Sequence, residues 1–217
     1  MLRFLPIQNL FTALHSCTIL KSNLTKERVF RLNHLQIPAR QKSIVLIGFM
    51  GVGKTTIGEL VAKKLYRTFI DVDQEIEKDF GMTIPQIFAQ HGEPFFREYE
   101  QKKTCFLAQE KLKVLSIGGG AFLNPEIRKA CLDHCIVFYL DVAWEEWKER
   151  LDLLIDTRPV LQSKTLDEIK ELFHKRKSAY AIHHSTLPVR HRSAEEIADF
   201  IVDSLKYTWE LYEPNYK

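Results

Sequence analysis

The chain has 217 residues, 45% hydrophobic and 27% charged, which is enough for one sizeable domain with a real core. Its formal net charge of +3 is too small to point to nucleic acid or an anionic membrane as a partner. No repeat of fixed period occurs, and the four cysteines, Cys17, Cys105, Cys131 and Cys135, form no C-x-x-C pair, which favours a reducing compartment.

Residues 1–42 differ from the rest. No acidic residue precedes Glu27, whereas Arg3, Lys21, Lys26, Arg28, Arg31, Arg40 and Lys42 are basic. Gln8, Asn9 and His15 interrupt the apolar residues, so the stretch reads neither as a membrane span nor as a convincing secretory signal. The stretch fits a dispensable extension better than an organellar transit peptide, since Ser and Arg are only weakly enriched. A cytoplasmic location is expected, with a plastid or other organelle as the alternative if the segment is a transit peptide.

The core domain is expected over 43–206. Its first apolar run, 44–47, reads as a buried strand. The chain continues as Gly48-x-x-Gly51-x-Gly53-Lys54-Thr55, which fits G-x-x-x-x-G-K-[ST]. Ile57, Leu60, Val61 and Leu65 follow at helical spacing, so the pattern lies between a strand and a helix, as a phosphate loop requires. Glycines let Gly51, Val52, Gly53 and the first helical residues turn backbone N–H groups toward one anion, and the helix start adds partial positive charge. Lys54, Thr55 and Thr56 sit at that start; Lys54 can reach the outer phosphates of ATP and the Thr55 hydroxyl can bind Mg²⁺. A dinucleotide fold fits less well, because the run from Gly51 lacks the last glycine of that fingerprint.

Residues 68–71 read as a second strand ending in Asp71-Val72-Asp73. On a strand the two carboxylates share a face; one could serve Mg²⁺, and the other could orient or deprotonate an acceptor hydroxyl. Helices are expected over 75–80, from a Thr83 cap with Pro85 in the first turn, and over 93–111. A third strand over 114–117 runs into Gly118-Gly119-Gly120, a sequence costly in backbone entropy and suited to close approach of a small ligand. Helix 125–132 and strand 136–140 follow. Cys131, His134 and Cys135 lack the second half of a zinc site and are expected to pack in the core. Trp144, Trp147 and Leu151 make one helical face. A loop over 152–163 centres on Arg158-Pro159, then come helix 166–181, strand 187–189 and helix 193–206. The tail, 207–217, is aromatic but irregular and is expected to pack on the surface or fray. Alternating strands and helices give an α/β fold with a parallel sheet of about five strands covered on both faces. Ligands bind such sheets beyond the carboxyl ends of the strands, where the phosphate loop, Asp71, Asp73 and the triple glycine all fall. Arg97, Arg158 and Arg176 at separate connections suggest an anionic substrate, because guanidinium pairs bidentately with carboxylate and phosphate.

Taken together, GFMGVGKTTIG, FIDVD, the MTIPQIF to GEPFFREYE segment, SIGGGAF, TRPVL and RKSAY resemble the shikimate kinase family in content and order. The resemblance implies a P-loop kinase fold with a mobile lid, and an ATP-dependent small-molecule kinase acting on the 3-hydroxyl of shikimate on the way to chorismate and aromatic amino acids. It places Lys54 on the ATP phosphates, Thr55 on Mg²⁺ and Asp71 near the metal. Asp73 falls on the shikimate hydroxyls as the proposed base. Arg97 and Arg176 fall on the shikimate carboxylate, with Gly118, Gly119 and Gly120 along the same pocket. Arg158 matches the lid arginine closing over the phosphates, and Arg150 the arginine stacking on adenine. The expected partners are ATP and shikimate, with the chain a monomer. Residues 187–196 depart from the family pattern, lacking its Asp-Thr and its proline near the helix start. A gluconate or nucleoside monophosphate kinase is the nearest rival. A guanine-specific switch would need [NT]-K-x-D, which the sequence lacks.

Overall fold

The computed structural model describes residues 38–151, 154, 161 and 164–212. The chain divides into two units, Met1–Pro38 and Ala39–Lys217. The expected extension before residue 38, Arg158 with the centre of the lid, and the end of the tail from 213 lie outside the described residues.

Five strands build one parallel sheet: β1 (Ser43–Ile47), β2 (Thr68–Asp71), β3 (Lys113–Ser116), β4 (Cys135–Asp141) and β5 (Ser185–Pro188). Their order is β2-β3-β1-β4-β5, so β1 lies in the centre, with Ile44 opposite Val114 on one side and Ile136 on the other. A central strand needs apolar residues on both faces, and all five residues of β1 are buried. The two faces separate by alternation. Ile44 and Leu46 join one core cluster, Val45 and Ile47 the other.

Helix α1 (Lys54–Leu65) lays Ile57, Val61 and Ala62 on the first face. Helices α2 (Val72–Phe80), α3 (Ile84–His91), α4 (Glu93–Gln109) and α5 (Pro125–His134) cover the second through Ile76, Ile87, Phe96 and Ile127. Helices α6 (Trp144–Lys148), α7 (Leu166–Ala179) and α8 (Ala194–Tyr212) return to the first through Trp147, Phe173 and Ile201. Among the described residues no helix is long and apolar enough to cross a membrane.

Local signals set several boundaries. Thr83 and Gln86 complete a capping box at the start of α3, with Pro85 in the first turn. Cys131 and Cys135 are buried, and the Cys135 thiol donates to the Ala108 carbonyl at 3.1 Å. Burial pushes the Cys135 thiol up to about 12, so it stays protonated and behaves as a core residue.

Several boundaries differ from expectation: α2 starts at Val72 rather than at 75, β5 covers Ser185–Pro188 rather than 187–189, and both ends of the domain shift. The compact unit starts at Ala39 rather than at 43. A short 3-10 turn, Ala39–Gln41, is held by the Arg67 guanidinium, which donates to the Lys42 carbonyl at 2.8 Å and the Arg40 carbonyl at 2.7 Å. Helix α8 continues to Tyr212, past its expected end at 206, so this part of the tail packs rather than frays. Trp209 explains the extension: it packs against the first core cluster, with the Arg67 guanidinium 5.4 Å from its ring centroid.

Gly58 is the close-packing point between α1 and β2. A Cβ there would overlap the Phe69 ring and lie 3.4 Å from Leu46 Cδ1. Gly58→Val is therefore expected to lower stability by about 1–3 kcal/mol through overpacking. Urea denaturation at matched slope measures it, and an unchanged midpoint would contradict this packing.

Candidate active site

The carboxyl end of β1 opens into the phosphate loop. Gly51 and Gly53 take φ of +75° and +96°, conformations that favour glycine, and Gly53 leads directly into α1. The Lys54 ammonium donates to the Gly48 carbonyl at 2.9 Å and the Phe49 carbonyl at 3.0 Å, spanning the loop. The Val52 side chain is buried in the core, so only its backbone serves the loop surface.

The Thr55 hydroxyl donates to Asp71 Oδ2 at 2.8 Å. The other Asp71 oxygen accepts from the backbone N–H groups of Asp73 at 3.2 Å and Gln74 at 3.4 Å. This cap corrects the expectation that Asp71 and Asp73 share one strand face. The strand ends at Asp71, whose carboxylate starts α2 at once and places Asp73 in the first helical turn. Both still line one cavity of about 210 Å³ with Lys54, Thr55, Gly118 and Gly119.

The triple glycine supplies the opposite wall. A Cβ at Gly118 would lie 2.9 Å from Asp73 Oδ1 and 3.3 Å from Glu100 Oε1. One at Gly119 would lie 3.4 Å from Arg176 Nη1, and one at Gly120 3.6 Å from Arg97 Nη1. Any side chain here would fill the space between the carboxylates and the guanidinium groups.

Both arginines are held from below. Arg97 Nη1 donates to Glu100 at 2.9 Å and Arg97 Nη2 to Glu93 at 3.0 Å. Arg176 is buried, with its guanidinium 5.5 Å from the Phe49 ring centroid. Burial lowers the Arg176 pKa, and the charge of nearby Arg97 adds to that, so an anion between the two would relieve both. Glu100 is 3% exposed. Burial raises its pKa, the Asp73 charge pushes the same way, and Arg97 opposes.

Sequence reasoning missed Glu100 as a site residue, although its position three after Arg97 puts both on one helical face. It also missed Tyr180, whose hydroxyl donates to the Gly119 carbonyl. Arg150 Nη1 lies 3.5 Å from the Gly51 carbonyl. In the stretch that departs from the expected pattern, Arg190 pairs with Glu146 at 2.7 Å and Arg192 lies 5.6 Å over the Phe200 ring.

A parallel sheet in this order, with a glycine loop and Lys-Thr at its central strand and an acidic and cationic pocket beside it, defines a P-loop phosphotransferase with a small anionic acceptor. The family model described as shikimate kinase matches residues 50–206. The shikimate kinase of Bacillus pumilus is 60% identical over 178 residues, covering 82% of this chain and 96% of its own. That of Geobacillus thermodenitrificans is 58% identical over 181 residues, with the same coverage of 82% and 96%. Among solved structures, the shikimate kinase from Acinetobacter baumannii in complex with shikimate superposes with a TM-score of 0.72 at 33% identity, covering 78% of this chain and 96% of that one. The chain belongs to the shikimate kinase family.

Proposed function

We infer that the chain transfers the γ-phosphoryl group of ATP to the 3-hydroxyl of shikimate, giving shikimate 3-phosphate and ADP. The observation that carries this assignment is the position of Asp73. It shares a cavity with Lys54 and the phosphate loop, and it faces Gly118 beside Glu100. A hydroxyl bound against Asp73 therefore lies next to the phosphates, while Arg97 and Arg176 take a carboxylate at the far end.

Phosphoryl transfer needs positioning and charge stabilisation more than covalent help. The loop N–H groups and Lys54 hold the phosphates and stabilise charge as it develops. Asp73 aims the acceptor hydroxyl and takes its proton as the new O–P bond forms. Arg97 and Arg176 fix the substrate by its carboxylate, and the backbone of Gly118, Gly119 and Gly120 lets the ring lie close. Arg158, outside the described residues, is proposed to close over the phosphates.

The donors present suit Mg²⁺. Thr55 and Asp71 bring two hard oxygens together at 2.8 Å beside the loop. Among the described residues no cluster of three or more His, Cys, Asp or Glu could hold a metal. Mg²⁺ usually takes only one or two protein oxygens besides phosphates and water, so this pair is sufficient. When bound, the ion would neutralise phosphate charge.

A coupled assay of ADP release with ATP and, in parallel, shikimate, gluconate or nucleoside monophosphates tests the assignment. Turnover confined to shikimate is expected, and turnover confined to another acceptor would overturn it. Arg97→Ala is expected to raise the shikimate KM by about 10- to 100-fold, the range for a lost charge-assisted hydrogen bond, with a smaller change in the ATP KM. An unchanged shikimate KM would remove Arg97 from the pocket.

A further inference from the structure

One short stretch after β4 packs directly on the phosphate loop. The Trp147 indole N–H donates to the Met50 carbonyl at 2.7 Å, and Trp147 is fully buried. Three residues on, Arg150 Nη1 approaches the Gly51 carbonyl at 3.5 Å. Four further on, Leu154 covers Gly51 so closely that a Cβ there would overlap Leu154 Cδ1. The Trp147 ring also packs edge-on against Phe49, with centroids 4.9 Å apart.

The consequence follows from the planarity of the peptide bond. The described chain has no cis peptide bond, and in a trans peptide the N–H points opposite to the carbonyl of the same plane. Fixing the Met50 carbonyl on Trp147 therefore turns the Gly51 N–H away from Trp147. Gly51, in the left-handed region at φ +75°, has no Cβ to oppose rotation of that plane. The orientation must be set from outside, and the indole N–H is the donor placed to set it.

We propose that Trp147 is a positioning residue for the phosphate loop, its indole N–H holding the Met50–Gly51 peptide so that the Gly51 N–H presents to the ATP phosphates. Arg150 and Leu154 brace the next peptide and the space above it. The role rests on the ATP-dependent transfer inferred above, but its binding arm needs only nucleotide.

The test replaces Trp147 with 3-benzothienylalanine, which keeps the indole shape and lacks the N–H, alongside Trp147→Phe. ADP affinity by calorimetry, KM for ATP and for shikimate, and the melting temperature are measured on the full chain. The sulfur analogue is expected to fold and to raise the ADP Kd and ATP KM about 3- to 10-fold, with the shikimate KM within about twofold, the effect of one neutral hydrogen bond. An unchanged ADP affinity, or equal rises in both KM values, would overturn the proposal. So would failure of the analogue to fold, since the bond would then serve stability rather than the loop. If the unaltered chain binds ADP but leaves shikimate untouched, the proposed function fails while the ADP arm still decides the role of Trp147.

Discussion

Lys54→Met is expected to lower turnover by about a hundred- to a thousandfold or more, the scale for losing one preorganised donor to developing charge. Met keeps most of the aliphatic stem and removes the ammonium that reaches the Gly48 and Phe49 carbonyls. Those contacts span the loop from a half-buried position, so their loss costs little of the fold. The core beneath the loop, from Ile44 to Ile57, does not depend on the ammonium. Circular dichroism melting should therefore stay close to that of the unaltered chain while the coupled assay collapses. Near-normal turnover in a folded variant would contradict the phosphate-binding role.

Asp73→Asn should leave ATP binding largely intact and lower kcat by about a hundred- to ten-thousandfold, the usual contribution of a positioned general base. The substitution is nearly isosteric, so the close packing against Gly118 survives. It changes charge, and Glu100 responds. Burial is the main force raising the Glu100 pKa, and the Asp73 charge adds to it. Removing that charge lets Glu100 ionise at lower pH, which strengthens its hold on Arg97. Shikimate affinity should then fall far less than kcat. A loss that appears wholly in the shikimate KM would identify Asp73 as a binding group rather than the base.

Signals carried by neighbouring residues were legible in the sequence. The apolar run before Gly48 named β1, and the spacing of Ile57 and Val61 named the face of α1 that meets it. The Thr83 cap placed the start of α3 to the residue. What escaped depended on partners distant in the chain. Helix α2 begins at Val72 rather than at the expected 75, because one Asp71 carboxylate oxygen caps two N–H groups while the other receives Thr55. The start at Ala39 rests on Arg67, and the reach of α8 to Tyr212 rests on Trp209, neither of which periodicity reveals. In the site, the residue types and the strand ends were readable. The supports beneath them, Glu100 under Arg97 and Tyr180 under Gly119, required the packed helices.

Gly119 bears on how this site could be rebuilt. A Cβ at Gly119 would stand 3.5 Å from the Gly48 carbonyl oxygen and 3.5 Å from the Met50 nitrogen, so the triple glycine and the phosphate loop meet backbone to backbone. Acceptor wall and phosphate cradle are thus one mechanical part. A programme to recruit a new acceptor by enlarging side chains along that wall would press on the cradle and weaken ATP binding at the same time. Arg97, which approaches from α4 and is held by Glu93 and Glu100, is the anchor further from the cradle, whereas Arg176 packs on Phe49 of the loop. Changes of substrate on this scaffold should therefore enter first through Arg97, with the glycines held fixed.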